Sequence, residues 1–400
     1  MKRYLSIILA GCALTFTHIS VAGPAEDMLA RAELTEAGLV AMADAAKNTP
    51  AADAKKKPTL DPVAYEALIL AHKGIPGNPK SYYRFDWNAP AVKALSAVKK
   101  KYNLPSHEPF IDRLLANPDP SVRAKAVTLM SKFLFGTNKA AKERAKDLLE
   151  KETEPMVLTA IISTFANDGG QVPEIGQFLV KCLDNNDPVV RKAVAAYSTS
   201  SWNFETPGLS EKLAELILTE KDNVVRKEIL ERSGSLGKDV LYDSYVKVLD
   251  GDETTEIKAS ALTGLLKMWW SFPLYNTYNE KAYRKTLAFI PTIKDDSANR
   301  RLFSAALDAL GQKSSSEHTL KTYAQKAPWF VAADVKAILL PFVDYENIDS
   351  FSRAKLLKGI YLHGGSAEEV KALVEKAIAG TQSNFDKKQY EKVLTDLKLK

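Results

Sequence analysis

The sequence predicts an all-α protein, a right-handed α-solenoid of helical hairpins, and three observations lead to this prediction. A short pattern recurs along the chain, in which a residue able to cap a helix, often followed by Pro, precedes Val and then Arg or Lys. With Arg123, Leu158, Arg191, Arg226 and Lys258 as equivalent positions, the steps between units are 35, 33, 35 and 32 residues. Small and apolar residues follow each of these positions. A period of this length is typical of one helix-turn-helix unit, and such units stack into solenoids.

The second helix of each unit has a recognisable beginning. A side-chain oxygen directly before a helix can accept hydrogen bonds from its free backbone N–H groups. A Pro follows this residue in three units, at the first helical position, where its missing N–H costs nothing. The predicted caps are Asp119, Asp187 and Asp222, with Thr254, Ser297 and Asp349 in the looser later units.

The Arg of the pattern lies one turn into its helix, near the positive end of the helix dipole. An anionic partner would make this position favourable, and the capping Asp of the neighbouring unit is the obvious candidate. We therefore expect a ladder of charged side chains between adjacent units, formed by Asp119, Arg123, Asp187, Arg191, Asp222 and Arg226.

The runs DPSVRAKAV from Asp119 and DPVVRKAVA from Asp187 resemble HEAT repeats, including the variant shared with phycobilisome lyases. The resemblance covers residues 109–311 well, although Leu158 and Lys258 depart from the strict pattern, and the steps lengthen to 43 and 52 residues at Arg301 and Arg353. It implies a helical superhelix that binds other proteins. It implies no particular chemistry, since unrelated functions share a scaffold.

The first residues predict export. Lys2 and Arg3 precede an apolar run over residues 4–16 and a small-residue site at 20–22, the organisation of a signal peptide. We therefore expect a mature protein in the periplasm or cell envelope, which disfavours chromophore attachment of the lyase type. Cys12 ends a stretch that resembles a lipobox, so a lipoprotein anchored through Cys12 is the alternative; no transmembrane segment is expected.

The sequence divides into five predicted regions. They are a signal peptide (1–22), an N-terminal helix with a Lys-, Pro- and Ala-rich linker (23–62), capping helices (63–108), regular HEAT-like repeats (109–311), and irregular repeats with two closing helices (312–400).

Composition restricts the function further. The formal net charge is +6, of which Lys2 and Arg3 supply two, so no basic footprint for nucleic acid remains in the mature chain. Cys182 is then the only thiol apart from Cys12, and its place in the repeat predicts a small buried apolar residue.

Aromatic residues cluster at the ends of two second helices. If the repeat spacing holds, both clusters lie on one rim of the solenoid, where they could anchor a protein partner, stack on sugar rings, or simply fill the core of lengthened units. The candidate binding residues are Trp202, Phe204, Trp269, Trp270, Phe272 and Tyr275.

The sequence contains no recognisable catalytic, metal-binding or nucleotide-binding motif, so we expect no cofactor. Asp295 and Asp296 are predicted to form a solvated turn, and His72, His107, His318 and His363 to be surface or loop residues. The function predicted is a non-catalytic scaffold of the bacterial cell envelope with a protein partner. A carbohydrate- or peptidoglycan-binding protein is the alternative, and an enzyme with a site assembled from distant residues is the second alternative.

Overall fold

The computed structural model describes residues 103, 108–124, 126–127, 147–166, 172–199, 203, 205–270, 279–310, 327 and 329–399, with the backbone alone at 108–111, 270 and 309. The contacts divide the chain into two compact parts, the N-terminal part Met1–Phe165 and the C-terminal part Ala166–Lys400. Each part is described by itself, and the word unit is kept for one repeat. The predicted signal peptide with Cys12, the N-terminal helix with its linker, and the capping helices apart from residues 103 and 108 lie outside the described residues.

The described residues are helical and contain no β-strand, which confirms the predicted all-α class. In the N-terminal part, α1 spans Glu108–Leu115 and α2 spans Pro155–Phe165, and residues 120–124 and 147–151 are also helical. In the C-terminal part the helices are α3 Pro173–Cys182, α4 Pro188–Tyr197, α5 Leu209–Thr219, α6 Asn223–Ser233, α7 Asp239–Asp250, α8 Thr255–Trp270, α9 Glu280–Phe289, α10 Arg300–Ala309, α11 Ala332–Leu339, α12 Ser350–Leu362, α13 Ala367–Ala379 and α14 Asn384–Asp396.

The predicted helix starts are confirmed in most units. The Asp187 carboxylate accepts from Val189 N at 2.8 Å, and Asp222 accepts from Val224 N at 2.8 Å. Asp119 and Asp349 bond the first turns of their helices in the same way, and Thr254 does so over a longer distance. The prediction for Ser297 was wrong, because Asp296 caps the short 3₁₀ turn Ser297–Asn299 and α10 begins only after it.

The C-terminal part has two layers of helices, as expected when each helix must bury one apolar stripe. The second helices of successive units, α4, α6, α8, α10 and α12, pack each against the next. The first helices α3, α5, α7 and α9 pack in the same order in the other layer. At the end of the chain, α12, α13 and α14 pack on one another, and α13 and α14 are the two closing helices that the sequence predicts.

One position of the repeat lies nine residues before the Arg, or before the Leu158 or Lys258 that replaces it, and is apolar in the five regular units. Its occupants are Leu114, Leu149, Cys182, Ile217 and Leu249, and all five are buried. Cys182 therefore fills a core position, as predicted, and burial raises the pKa of its thiol to about 12. A thiol with such a pKa stays protonated and is a poor nucleophile at neutral pH.

Two glycines bring α6 and α8 into backbone contact. A Cβ atom on Gly234 would lie 2.0 Å from Gly264 O, and one on Gly264 would lie 2.2 Å from Leu230 O. Tyr245, on α7, closes the same junction by donating a hydrogen bond to Leu230 O at 2.7 Å. Gly237 and Gly364 have φ of 63° and 98°, the left-handed conformation in which glycine commonly follows a helix end.

Candidate functional site

Buried ion pairs join successive units of the repeat. In the C-terminal part of the chain, Arg191 Nε donates to Glu220 Oε2 at 2.7 Å and Nη2 donates to Oε1 at 2.8 Å. The side chains of Arg191 and Glu220 are only 16% and 4% exposed. The remaining nitrogen, Nη1, donates to the carbonyl oxygens of Asn185 and Asn186. The guanidinium group therefore fastens α4 both to its own preceding loop and to the end of α5.

The same arrangement recurs elsewhere. In the N-terminal part, Arg123 makes a bidentate pair with Glu152 at 2.9 and 3.1 Å. In the C-terminal part, Arg226 pairs with Glu253 at 2.5 and 3.1 Å, and its Nε donates to Ile217 O. We call these three Arg–Glu pairs the rungs.

The rungs correct the predicted ladder. The expected partners of the Arg residues were the capping Asp residues, and the structure places a Glu one or two residues before the next cap in that role. The capping carboxylates are occupied by the N–H groups of their own helices, and a Glu side chain is one methylene longer. Asp119, Asp187 and Asp222 therefore serve as caps, and the sequence analysis missed the Glu partners.

Two of the three rung Glu residues also hold the start of the following helix. Oε1 of Glu220 accepts from Asp222 N at 2.9 Å, and Oε1 of Glu152 accepts from Glu154 N at 2.9 Å. Burial by itself raises the pKa of Glu220, but the bonds from Arg191 and from backbone N–H groups outweigh it, and the pKa lies below its ordinary value. The carboxylate therefore stays ionised at neutral pH, which keeps the rung intact.

The last of the five equivalent positions of the repeat is different. Lys258 on α8 stands where the rungs have Arg, and among the described residues no ion pair joins it. It lines an open groove of about 290 Å³ together with Glu253, Thr255, Phe289, Thr292, Ile293, Lys294, Asn299 and Leu302. The groove lies between the start of α8, the end of α9 and the start of α10.

The aromatic residues separate into core and undescribed positions. Trp269 is completely buried, with its ring 5.1 Å from Tyr283 in an edge-to-face arrangement and 6.2 Å from Phe330. The candidate assignment of Trp269 to a binding rim is therefore wrong, because a completely buried ring is not accessible to another molecule. Trp202, Phe204, Phe272, Tyr275 and the side chain of Trp270 lie outside the described residues, so their predicted role stays a prediction.

Other apolar side chains are exposed at helix starts. Val224 on α6 and Phe351 on α12 both lie two residues after their capping Asp, and they are 57% and 55% exposed. The Phe351 ring packs edge-to-face against Phe385 at 5.6 Å, and Phe385 is equally exposed. Sequence analysis did not single out these residues, since exposure depends on how the neighbouring units stack.

The structure revises the prediction for one titratable residue, His363, and adds to the prediction for another, Asp295. His363 lies in the turn after α12, as expected of a loop residue, but it is buried there and not on the surface. Its ring lies 6.1 Å from the Phe330 ring, and its Nε2 donates to Leu310 O at 3.2 Å. Burial lowers its pKa to about 4, although the bond to Leu310 acts in the opposite direction. Asp295 lies in an exposed turn as predicted, but it also binds the backbone N–H groups of Glu346 and Asn347. His72, His107 and His318 lie outside the described residues.

Among the residues that the structure describes, no group of three or more His, Cys, Asp or Glu side chains is arranged to hold a metal ion. In the same part of the chain, no helix combines the length and the apolar character needed to cross a bilayer. The sequence matches no protein-family model and no curated protein.

Proposed function

We propose that this chain is an exported α-solenoid of the HEAT-repeat type that acts as a non-catalytic protein-binding scaffold in the bacterial cell envelope. The observation that carries the proposal is the uninterrupted packing of five second helices, α4, α6, α8, α10 and α12, each on the next. Stacks of repeated helical hairpins present extended surfaces on which partners bind. The rungs support such a role, because they fix the distance and angle between neighbouring units.

The exposed edge of this row of helices has the chemistry of a protein-binding surface. Val224 and Phe351 occupy the same position in their helices, and more than half of each side chain is exposed. Large apolar side chains held in place on a surface are common anchors of interfaces. A protein partner is therefore favoured over a sugar.

The other parts of the proposal come from the sequence. The basic and apolar residues of 1–22 support export to the periplasm or cell envelope, with lipidation of Cys12 as the anchored alternative. The carbohydrate-binding alternative loses one of its six candidate aromatic residues, because Trp269 is buried. The catalytic alternative gains no support from the described titratable residues, since their shifted pKa values follow from burial and from structural hydrogen bonds.

The proposal is tested by photo-crosslinking in living cells with the full chain. A photoreactive amino acid replaces Val224 or Glu256, at exposed starts of second helices, and in matched controls it replaces Glu211 or Asp243, exposed on the first helices α5 and α7. We expect adducts with one and the same protein, identified by mass spectrometry, at 224 and 256 and not at 211 and 243. No adduct at any position, or equal adducts at all four, would contradict a scaffold that binds through its second helices.

A further inference from the structure

The charge at the two ends of each rung position follows a rule. Where the second helix carries Arg, the segment before the next cap carries Glu, as in the pairs Arg123–Glu152, Arg191–Glu220 and Arg226–Glu253. Where Leu158 replaces the Arg, the residue two before the next cap is Asn185 and not Glu. The cation and the carboxylate are thus present together or absent together.

Lys258 breaks this rule. The cap that follows it is Asp296, whose side chain accepts from Ala298 N. The residue two positions before Asp296, where Glu220 stands relative to Asp222, is Lys294. Two ammonium groups therefore line one groove at the place where the rungs join a guanidinium to a carboxylate.

The carboxylates close to this groove are already engaged. Glu253 also lines it, but both of its oxygens accept hydrogen bonds from Arg226. Asp295 binds backbone N–H groups of residues 346 and 347, and Asp296 binds its own 3₁₀ turn. Among the described residues, none forms an ion pair with Lys258 or Lys294.

We propose that this groove binds a carboxylate side chain of an acidic segment of the partner protein. The incoming Glu or Asp takes the place that Glu220 takes beside Arg191, and Lys258 and Lys294 hold it as charge-assisted donors. Phe289, Ile293 and Leu302 form the apolar part of the groove and receive an apolar neighbour of that residue. This inference rests on the proposed scaffold function and names the chemistry by which the partner is recognised.

The test uses the purified full chain and two fluorescein-labelled peptides, Gly-Leu-Glu-Leu-Glu-Gly and its counterpart with Gln in place of Glu. Fluorescence anisotropy at low salt gives the affinities, because salt screens exposed charges. We expect the acidic peptide to bind at least about tenfold more tightly than the Gln peptide, the factor that one charge-assisted hydrogen bond provides. Failure of the wild-type chain to bind the acidic peptide more tightly would overturn the proposal.

Variants locate the binding. Lys258→Gln with Lys294→Gln is expected to weaken binding of the acidic peptide by about tenfold or more. Lys181→Gln with Lys388→Gln removes the same charge from exposed positions on α3 and α14 and is expected to leave binding unchanged. Equal losses in the two double variants would overturn the proposal, since binding would then follow net charge and not the groove.

A third variant fills the site from within. Lys258→Arg with Lys294→Glu recreates the charges of a rung, and we expect this variant to keep the helical circular dichroism spectrum and to lose its affinity for the acidic peptide.

Displacement of the peptide by inorganic phosphate at equal concentration would identify a small-anion site and overturn the peptide assignment. Peptide binding without any crosslinked partner in cells would contradict the scaffold alone, whereas a partner without peptide binding would contradict the groove alone.

Discussion

Arg191 shows how a single side chain joins two repeats. Its guanidinium makes two bonds to Glu220 and two to its own preceding loop, and the Glu carboxylate is almost fully buried. Removing the Arg would leave a buried carboxylate without its counter-charge, and that cost exceeds the net value of an intact pair.

We therefore predict that Arg191→Ala lowers the free energy of unfolding by about 3 kcal/mol. Chemical denaturation at pH 7 measures it. The matched control is Arg232→Ala, which removes an Arg from an exposed pair with Glu228 and should cost less than about 1 kcal/mol. Equal effects of the two substitutions would contradict a structural role for the rung.

The buried imidazole of His363 makes the stability of the fold depend on pH. Its pKa is lowered from 6.5 to about 4 in the folded chain. As pH falls below 6.5, the unfolded chain therefore binds a proton at this residue before the folded chain does. Stability is complete above pH 6.5, declines between pH 6.5 and 4, and loses about 3 kcal/mol in total from this group.

His363→Gln isolates this contribution, because Gln keeps a donor for Leu310 O and does not titrate in this range. We expect the wild-type chain to lose about 3 kcal/mol more than the variant between pH 7 and pH 4 in urea denaturation. Parallel pH profiles of the two proteins would show that the imidazole titrates normally.

Residue-scale sequence reasoning was sound where the cause was local. Asp187 and Asp222 act as caps because the helix start supplies the donors directly after them. The partner of Arg191 was mistaken because the choice between Asp222 and Glu220, two residues apart, depends on the position of the neighbouring unit. The burial of Trp269 and His363 likewise depends on Phe330, which lies far along the chain.

At the scale of elements, α6 and α8 come into direct backbone contact. Gly234 and Gly264 meet there, and Tyr245 lies against both helices. The sequence does not predict this contact, since Gly264 lies in the middle of α8 and the residue it meets depends on how the two helices pack.

Gly264→Ala is predicted to destabilise the chain by about 3 kcal/mol, the upper end of the cost of overpacking. The added methyl group would lie 2.4 Å from the Tyr245 ring and 2.2 Å from a backbone oxygen, which cannot rotate away. Gly380→Ala is the control, because its added Cβ meets nothing closer than 3.4 Å. Thermal unfolding of both variants decides it, and equal melting temperatures would show that α6 and α8 can separate at little cost.

At the scale of the whole molecule, the all-helical class and the order of helices follow from one periodic pattern. Five helices begin within a residue of the predicted starts, because caps and apolar spacing repeat in each unit. The groove at Lys258 was not predicted, since its like charges become neighbours only when the segment before α10 lies against α8. Repetition makes the scaffold predictable, and the departures from it carry the candidate binding chemistry.

The coupling of neighbouring units through the rungs can be measured by hydrogen–deuterium exchange of Arg191→Ala against the wild-type chain. In a repeat array each unit is stabilised mainly by the adjacent ones. We therefore expect faster exchange of backbone amides in α3 to α6, next to the broken rung, with little change in α13 and α14. Uniform acceleration over all described helices would contradict it and would indicate a single cooperative core.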